Sequence, residues 1–241
     1  MSPHTFRRRR PRLAVLVGTV ATAFAIALVA GCGDDDKSVA VVDQAVAAEH
    51  DDHGAVSPAI HTEAGHQFQD DMRKLWEDHV TWTRLAIVSY IDDLSDLEPT
   101  VAQLIQNQTD IGDAIKPFYG DEAGEHLTTL LEDHINGAVD IMAAAKAGDQ
   151  KQTKKASAVW YRNGNQIADF LSGANPDNWP REEMRSMMET HLDQTLAEAV
   201  QRLEGDHAAE VRTYDEIHVH ILEMADALTD GIIAQFPEKF E

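Results

Sequence analysis

From about Thr62 to the end of the chain, apolar side chains return every three or four positions, the spacing that lines one face of an α-helix. No stretch alternates with period two over a useful length, so no sheet is expected. The helical pattern is interrupted at Asp92-Asp93-Leu94-Ser95-Asp96, with Pro99 in the first turn of the next helix, where it is tolerated. Further breaks fall at Lys116-Pro117-Phe118-Tyr119-Gly120, Gly148-Asp149, Gly173-Ala174-Asn175-Pro176 and Gly205-Asp206, and Trp179-Pro180 opens the fifth segment. The pattern predicts an all-α fold: a six-helix bundle of three tandem αα-hairpins, spanning about residues 62–118, 120–173 and 178–236.

The hairpins share a signature. The outgoing helices carry Glu77-Asp78-His79, Glu132-Asp133-His134 and Glu189-Thr190-His191. The returning helices carry Asn107 to Asp113, Asn163 to Asp169 and His220 to Asp226, each ending Gly-Asp or Ala-Asp. Successive histidines lie 55 and 57 residues apart, and the returning positions 56 and 57. Residues equidistant from a tight turn come level on antiparallel helices. The midpoint of 134 and 163 falls on Gly148-Asp149 and that of 191 and 220 on Gly205-Asp206, so His134 should face Asn163 and His191 should face His220. Asp93 lies midway between His79 and Asn107 in a longer turn, which makes that pairing looser.

Helix periodicity separates the two members of Glu-x-His. Residues four apart share a face, whereas residues two apart point about 200° away from each other. Leu75, Leu130 and Met187 stand four before the histidines, and Thr83, Ala138 and Thr195 four after, which puts the imidazoles on the core stripe and Glu77, Glu132 and Glu189 toward solvent. Asp110, Gln166 and Glu223 lie three residues beyond Asn107, Asn163 and His220 and can reach the same side, and His218 shares an apolar face with Tyr214 and Ile221. The expected result is one polar layer of imidazoles and carboxylates inside the bundle. Such groups are costly in an apolar core unless paired, and coordination of a metal would keep them neutral. The candidate ligands are His79, His134, His191 and His220, with Glu223, Asp110 and His218 as further members and Asn107, Asn163, Gln166, Met187 and Met224 in support. A His-rich set with a carboxylate suits Zn²⁺, Cu²⁺, Fe²⁺ or Ni²⁺, and the methionines beside the third hairpin would also suit Cu⁺. The bland alternatives are core histidines bonded to amides or water, and methionines that only fill space.

The N-terminus changes where this bundle is expected to work. Arg7 to Arg12 is a basic segment, and Leu13 to Ala30 is an apolar run ending in Val29-Ala30-Gly31-Cys32, which matches a bacterial lipoprotein signal with Cys32 as the lipidated residue. A single membrane-spanning anchor is the other reading of the run. Either places the rest of the chain outside the cytoplasm, attached to the membrane. Residues 1–31 are then the signal peptide, 32–61 a flexible acidic tether, and 62–241 the helical domain. The tether contains His50-Asp51-Asp52-His53, whose spacing fixes no ligand geometry. Cys32 is the sole cysteine, so no disulfide framework and no thiolate ligand are expected.

The whole chain carries 20 basic and 42 acidic residues. Five of the basic residues and none of the acidic ones lie in residues 1–31, which leaves 15 against 42 and a net charge of −27 on the remainder. That surface repels nucleic acid and attracts cations or basic protein partners. No phosphate-binding glycine loop, Gly-x-Ser-x-Gly elbow, His-Glu-x-x-His or Cys-x-x-Cys occurs, and the paired Glu-x-x-His of di-iron bundles is absent, so no nucleotide cofactor is expected.

Several strings resemble a family of small exported, all-helical bacterial proteins of unsettled function. They are Trp76-Glu77-Asp78-His79-Val80-Thr81-Trp82-Thr83-Arg84, Asn107-Gln108-Thr109-Asp110-Ile111-Gly112 with Lys116-Pro117-Phe118-Tyr119-Gly120, Phe170 to Pro176, and Gln235 to Phe240. Members are sometimes labelled glycosyltransferases or acetylglutamate kinases, and neither fold's signatures occur here. The resemblance implies a helical unit over about residues 70–240 and no particular mechanism. Three functions follow from the residues: a metal-binding domain, a metal-free interaction or sensor module, and an enzyme using the His/Asp/Glu layer for acid–base chemistry beside an open pocket.

Overall fold

The computed structural model describes residues 58–241. The segment expected to be a signal peptide, Cys32 and most of the expected tether, including His50 to His53, lie outside the described residues. Six helices follow one another: α1 (Glu63–Ile91), α2 (Leu97–Tyr119), α3 (Asp121–Lys146), α4 (Gln150–Ala174), α5 (Arg181–Glu204) and α6 (His207–Gln235). Short 3-10 turns at Pro58–His61 and Pro237–Lys239 flank them, and no strand occurs among the described residues. The first turn reaches into residues assigned to the tether, because Ala59 is buried in the core. Among the described residues no helix is long and apolar enough to cross a membrane.

Local chemistry explains where the helices start and stop. Thr62 Oγ1 accepts from Gly65 N at 3.0 Å, Asp149 Oδ1 from Gln152 N at 3.0 Å and Asp206 Oδ1 from Ala209 N at 3.0 Å. Each satisfies a first-turn donor that the helix cannot. Gly205 closes α5 at φ 79°, in the left-handed region that other residues enter at a cost.

Short connections make consecutive helices antiparallel neighbours, and α6 packs back on α1, so the six close into a ring. Side chains at matched positions hold the ring shut. Asp169 on α4 accepts from Arg181 and Arg185 of α5, and Asp226 on α6 accepts from Arg73 and Gln69 of α1. Arg73 and Arg185 both stand six residues before their helix's core histidine. Between α2 and α3 the same approach is made by bare backbone: a Cβ on Gly112 would stand 2.0 Å from Thr128 Oγ1 and 2.7 Å from Gly124 O.

The described core lies wholly within the compact unit Asp52–Glu241, the property of a domain able to fold on its own. One end is sealed by aromatic rings. Phe118 stacks on Phe240 at 5.6 Å, Phe68 and Phe236 pack beside them, and the C-terminal Lys239 donates to Pro117 O at 2.8 Å. Trp179, carried by the α4–α5 connection, donates to Ala227 O at 3.1 Å and lies against the bare face of Gly231.

Gly112→Ala should destabilise the fold by about 2 kcal/mol, because the added methyl cannot be placed without parting α2 and α3. Gly173, helical and open to solvent, is the control. Gly173→Ala should raise stability by about 0.5–1 kcal/mol, and urea unfolding of both variants checks the pair.

Candidate functional site

Halfway along the ring, α1, α3 and α5 each turn one imidazole into the core. His79, His134 and His191 are 2%, 4% and 4% exposed. The His79 and His191 ring centroids lie 5.8 Å apart, and those of His134 and His191 6.3 Å apart. Three histidines far apart in sequence therefore form one contiguous layer.

The backbone around each histidine is fastened in a recurring way. Asn107 Nδ2 donates to Leu75 O at 2.9 Å, Asn163 Nδ2 to Leu130 O at 3.0 Å, and His220 Nε2 to Met187 O at 2.9 Å. In every hairpin the acceptor is the carbonyl four residues before the core histidine. The histidine's own carbonyl also takes a side-chain donor: Thr83 Oγ1 to His79 O at 2.7 Å, Trp160 Nε1 to His134 O at 3.0 Å, and Thr195 Oγ1 to His191 O at 2.8 Å.

These contacts decide a protonation state. Asn163 spends its amide N–H on Leu130 O, which leaves Oδ1 facing His134 Nδ1 at 2.9 Å. A carbonyl oxygen can only accept, so Nδ1 carries the proton and Nε2 is left with its lone pair. Trp160 stacks on the same ring at 5.0 Å and holds its plane. Burial drives His134 down to about 4 and His79 down to about 3, with the neighbouring imidazole adding to the effect at His79. It also drives His191 well below the usual range, with His79, His134 and His220 adding to it. All three are neutral at pH 7.

The layer is incompletely satisfied. Buried polar atoms usually find partners, yet His79 Nδ1, His191 Nδ1, Trp76 Nε1 and Gln108 Oε1 have none in the protein. Gln108 is fully buried and donates to Leu104 O and Asn107 Oδ1, and with Asn107 it lies close enough to His79 to oppose part of the effect of burial, although its oxygen makes no hydrogen bond. Among the described residues no group of three or more His, Cys, Asp or Glu side chains stands at ligating geometry.

Other residues expected in the layer lie elsewhere. His220 is level with His191 but turns Nε2 to Met187 O, with Nδ1 3.9 Å from Glu223. Glu223 itself is exposed. His218 faces outward and bonds Glu77 at 2.9 Å across the α1–α6 seam, so Glu77 is an exposed side chain with a defined partner. Asp110 is exposed and takes Gln106 Nε2 at 2.9 Å, and Gln166 is exposed on the outer face of α4. Met224 is core filling and Met187 is half-buried against it. The physical reason is the 100° step of the helix: three positions on, a side chain is turned about 60° from its predecessor, which carries Asp110, Gln166 and Glu223 past the edge of the core stripe.

A second buried polar group was missed from sequence. Glu198 and Glu210 are 2% and 1% exposed, and Arg84 bridges them, with Nη1 2.6 Å from Glu198 Oε1 and Nη2 2.9 Å from Glu210 Oε1. Arg202 pairs with Glu210 at 3.1 Å and with Asp92, and Tyr214 lies under the Arg84 guanidinium at 4.6 Å. Burial pushes Glu198 up to about 7 against the pull of Arg84. The signal was present: Glu198 stands seven residues, two helical turns, after His191 and so returns to its face.

Comparison with known protein families, with curated proteins and with solved structures finds no match for this chain. The site is therefore read from its own geometry.

His134 titrates at about 4 folded against 6.5 unfolded. A depressed folded value stabilises the native state above the unfolded value, and that stability is lost as pH falls through the folded value. Lowering the pH from 6.5 to 4 should remove about 3 kcal/mol through this one site. Glu198 has the opposite sign, and its stabilisation is present below 4.5 and lost as pH rises through about 7. In urea unfolding between pH 6.5 and 4, His134→Gln should show a shallower pH slope than the parent, and an identical slope would remove His134 from the account.

Proposed function

We propose that this chain is an exported, lipid-anchored helical domain, built from three tandem hairpins, that binds one divalent transition-metal ion between His79, His134 and His191. The supporting observation is the set of buried polar atoms in the histidine layer: a lone pair fixed on His134 Nε2 and ring nitrogens of His79 and His191 with no other partner. Neutral imidazoles are the form a metal takes, and Asn163 is the kind of outer partner that sets a ligand's tautomer. Ligation requires the rings to draw together, because metal–nitrogen bonds are about 2.0–2.1 Å. Zn²⁺, Cu²⁺ and Fe²⁺ suit an all-imidazole set completed by water, and Met187 and Met224 lie on α5 and α6, beside His191. Cys32 would carry the lipid, and the acidic surface would repel nucleic acid and favour basic partners or cations.

The second reading is a metal-free interaction module in which internal water bridges the same atoms. It is favoured by the present spacing of the rings and by the mix of unpaired groups, since Trp76 Nε1 is a donor that no metal can satisfy. Acid–base catalysis has less support, because the described residues place none of the three histidines on the wall of the cavity next to the layer.

The full chain, purified in detergent without a polyhistidine tag, should bind about one equivalent of Zn²⁺ or Co²⁺, with Co²⁺ giving ligand-field absorption bands. His191→Gln should abolish those bands, and Asn163→Ala should weaken binding by about 10–100-fold, with circular dichroism confirming the helical fold. A folded parent that takes up no metal, or a His191→Gln variant that titrates like the parent, refutes metal binding and leaves the water-filled core.

A further inference from the structure

Between the histidine layer and the turn end of the bundle, the side chains leave a cavity of about 270 Å³ enclosed by α1, α2, α3 and α5, with Trp160 of α4 at its inner end. Its wall is apolar, and no Asp, Glu, Lys or Arg contributes to it. Three small residues keep it wide. Ala86 stands seven positions after His79, Ala138 four after His134, and Ala199 eight after His191.

Three of the polar groups on the wall are already engaged, and the other two, Tyr90 and Asn136, are half-buried and exposed. Thr83 and Thr195 donate their hydroxyls to the carbonyls of His79 and His191, and the Trp160 indole donates to His134 O. Asn136 is exposed, so it sits where the cavity meets solvent. Around Thr83, Thr195 and Trp160 the wall therefore offers no free donor and no charge, and an ionised molecule would lose its hydration there without compensation. An apolar cavity of about 150 Å³ already suffices to take up benzene and stay dry.

The shape narrows the choice further. Along α3 the lining runs from Ile135 to Met142, about 10 Å at 1.5 Å per residue. A smaller apolar hollow shares Ile141, Met142, Leu196 and Ala199 with it and continues toward Leu203 at the turn end. Leu203 and Val200 are large apolar side chains exposed at that end, in contrast to the aromatic seal at the other. The combined hollow extends along α3 and α5 and is bordered by exposed residues at Asn136 and, at the turn end, at Val200 and Leu203.

We propose that this cavity is a binding site for a single neutral hydrocarbon chain of roughly eight to ten carbons, the reach of its length along α3. The chain enters between α1, α3 and α5 at the turn end and stops against Trp160, whose indole stacks on His134. The site is independent of the metal reading, and the two are tested separately.

The Asp52–Glu241 unit is titrated with N-phenyl-1-naphthylamine, a neutral fluorophore that brightens in apolar surroundings, with EDTA present throughout. The primary alcohols from hexanol to tetradecanol are then used as competitors. The parent should show saturable fluorescence, displaced best by octanol to decanol. Ala138→Phe and Ala199→Phe place a ring in the cavity and should bind at least tenfold more weakly, with a melting temperature equal to or above the parent's. Met142→Ala enlarges the hollow and should move the best competitor to a longer chain. A folded parent that gives no saturable signal overturns the proposal, as do ring-filled variants that bind like the parent. Should those variants fail to fold, an unchanged chain-length preference in Met142→Ala overturns it.

Discussion

Three imidazoles buried in an apolar core set the terms for the rest of this bundle. A charged imidazole there would cost far more than its neighbours could return, so each must be neutral, and a neutral imidazole still has one N–H and one lone pair to place. The surrounding sequence answers this at the backbone. Side-chain donors from the partner helix reach the carbonyl four residues before each histidine, and a threonine or tryptophan reaches the histidine's own carbonyl. These bonds pin the three helical turns that carry the rings and so determine how close the rings come.

The two halves of the molecule on either side of that layer are filled by different means. Toward the chain's C-terminus, aromatic rings and Trp179 seal the bundle, and close approach of α2 and α3 depends on bare glycine backbone at 112 and 124. Toward the turns, α1, α2, α3 and α5 leave an apolar hollow, whereas between α1, α5 and α6 Glu198 and Glu210 are turned inward and paired with Arg84 and Arg202. The charged sector ties α1, α5 and α6 together and costs desolvation of four ions, which their mutual pairing must offset. Hairpins with matched histidines thus support unlike interiors within one ring.

How much could be read beforehand differs between residues on and off the core stripe. The six helices and the breaks between them follow from local propensity and turn chemistry, and Gly148, Gly205 and the Asp92 to Asp96 turn fall where the pattern stopped. His79, His134 and His191 point inward because periodicity alone carries them to the face of Leu75, Leu130 and Met187. Asp110, Gln166, Glu223 and His218 were harder, since a residue one step off the stripe can face core or solvent, and packing of the neighbouring helix decides which. Glu198 and Glu210 sit in the core and resemble surface charges when read singly. Glu198 does return to the face of His191, but its pairing, and that of Glu210, with Arg84, 114 residues away from Glu198, is decided by packing.

What the sequence by itself determined is therefore one-dimensional: helix extents, the matched spacing of the histidines, and the partner level with each across its turn, because these depend on contacts within about 30 residues. The tertiary structure alone decided that α6 closes on α1, that the layer expected from the spacing holds His79, His134 and His191 without Asp110, Glu223 and His218, and that a hollow lies beside it. Those outcomes depend on how side-chain volumes from five helices fill a common space, and volume summed across helices leaves no periodic trace along the chain.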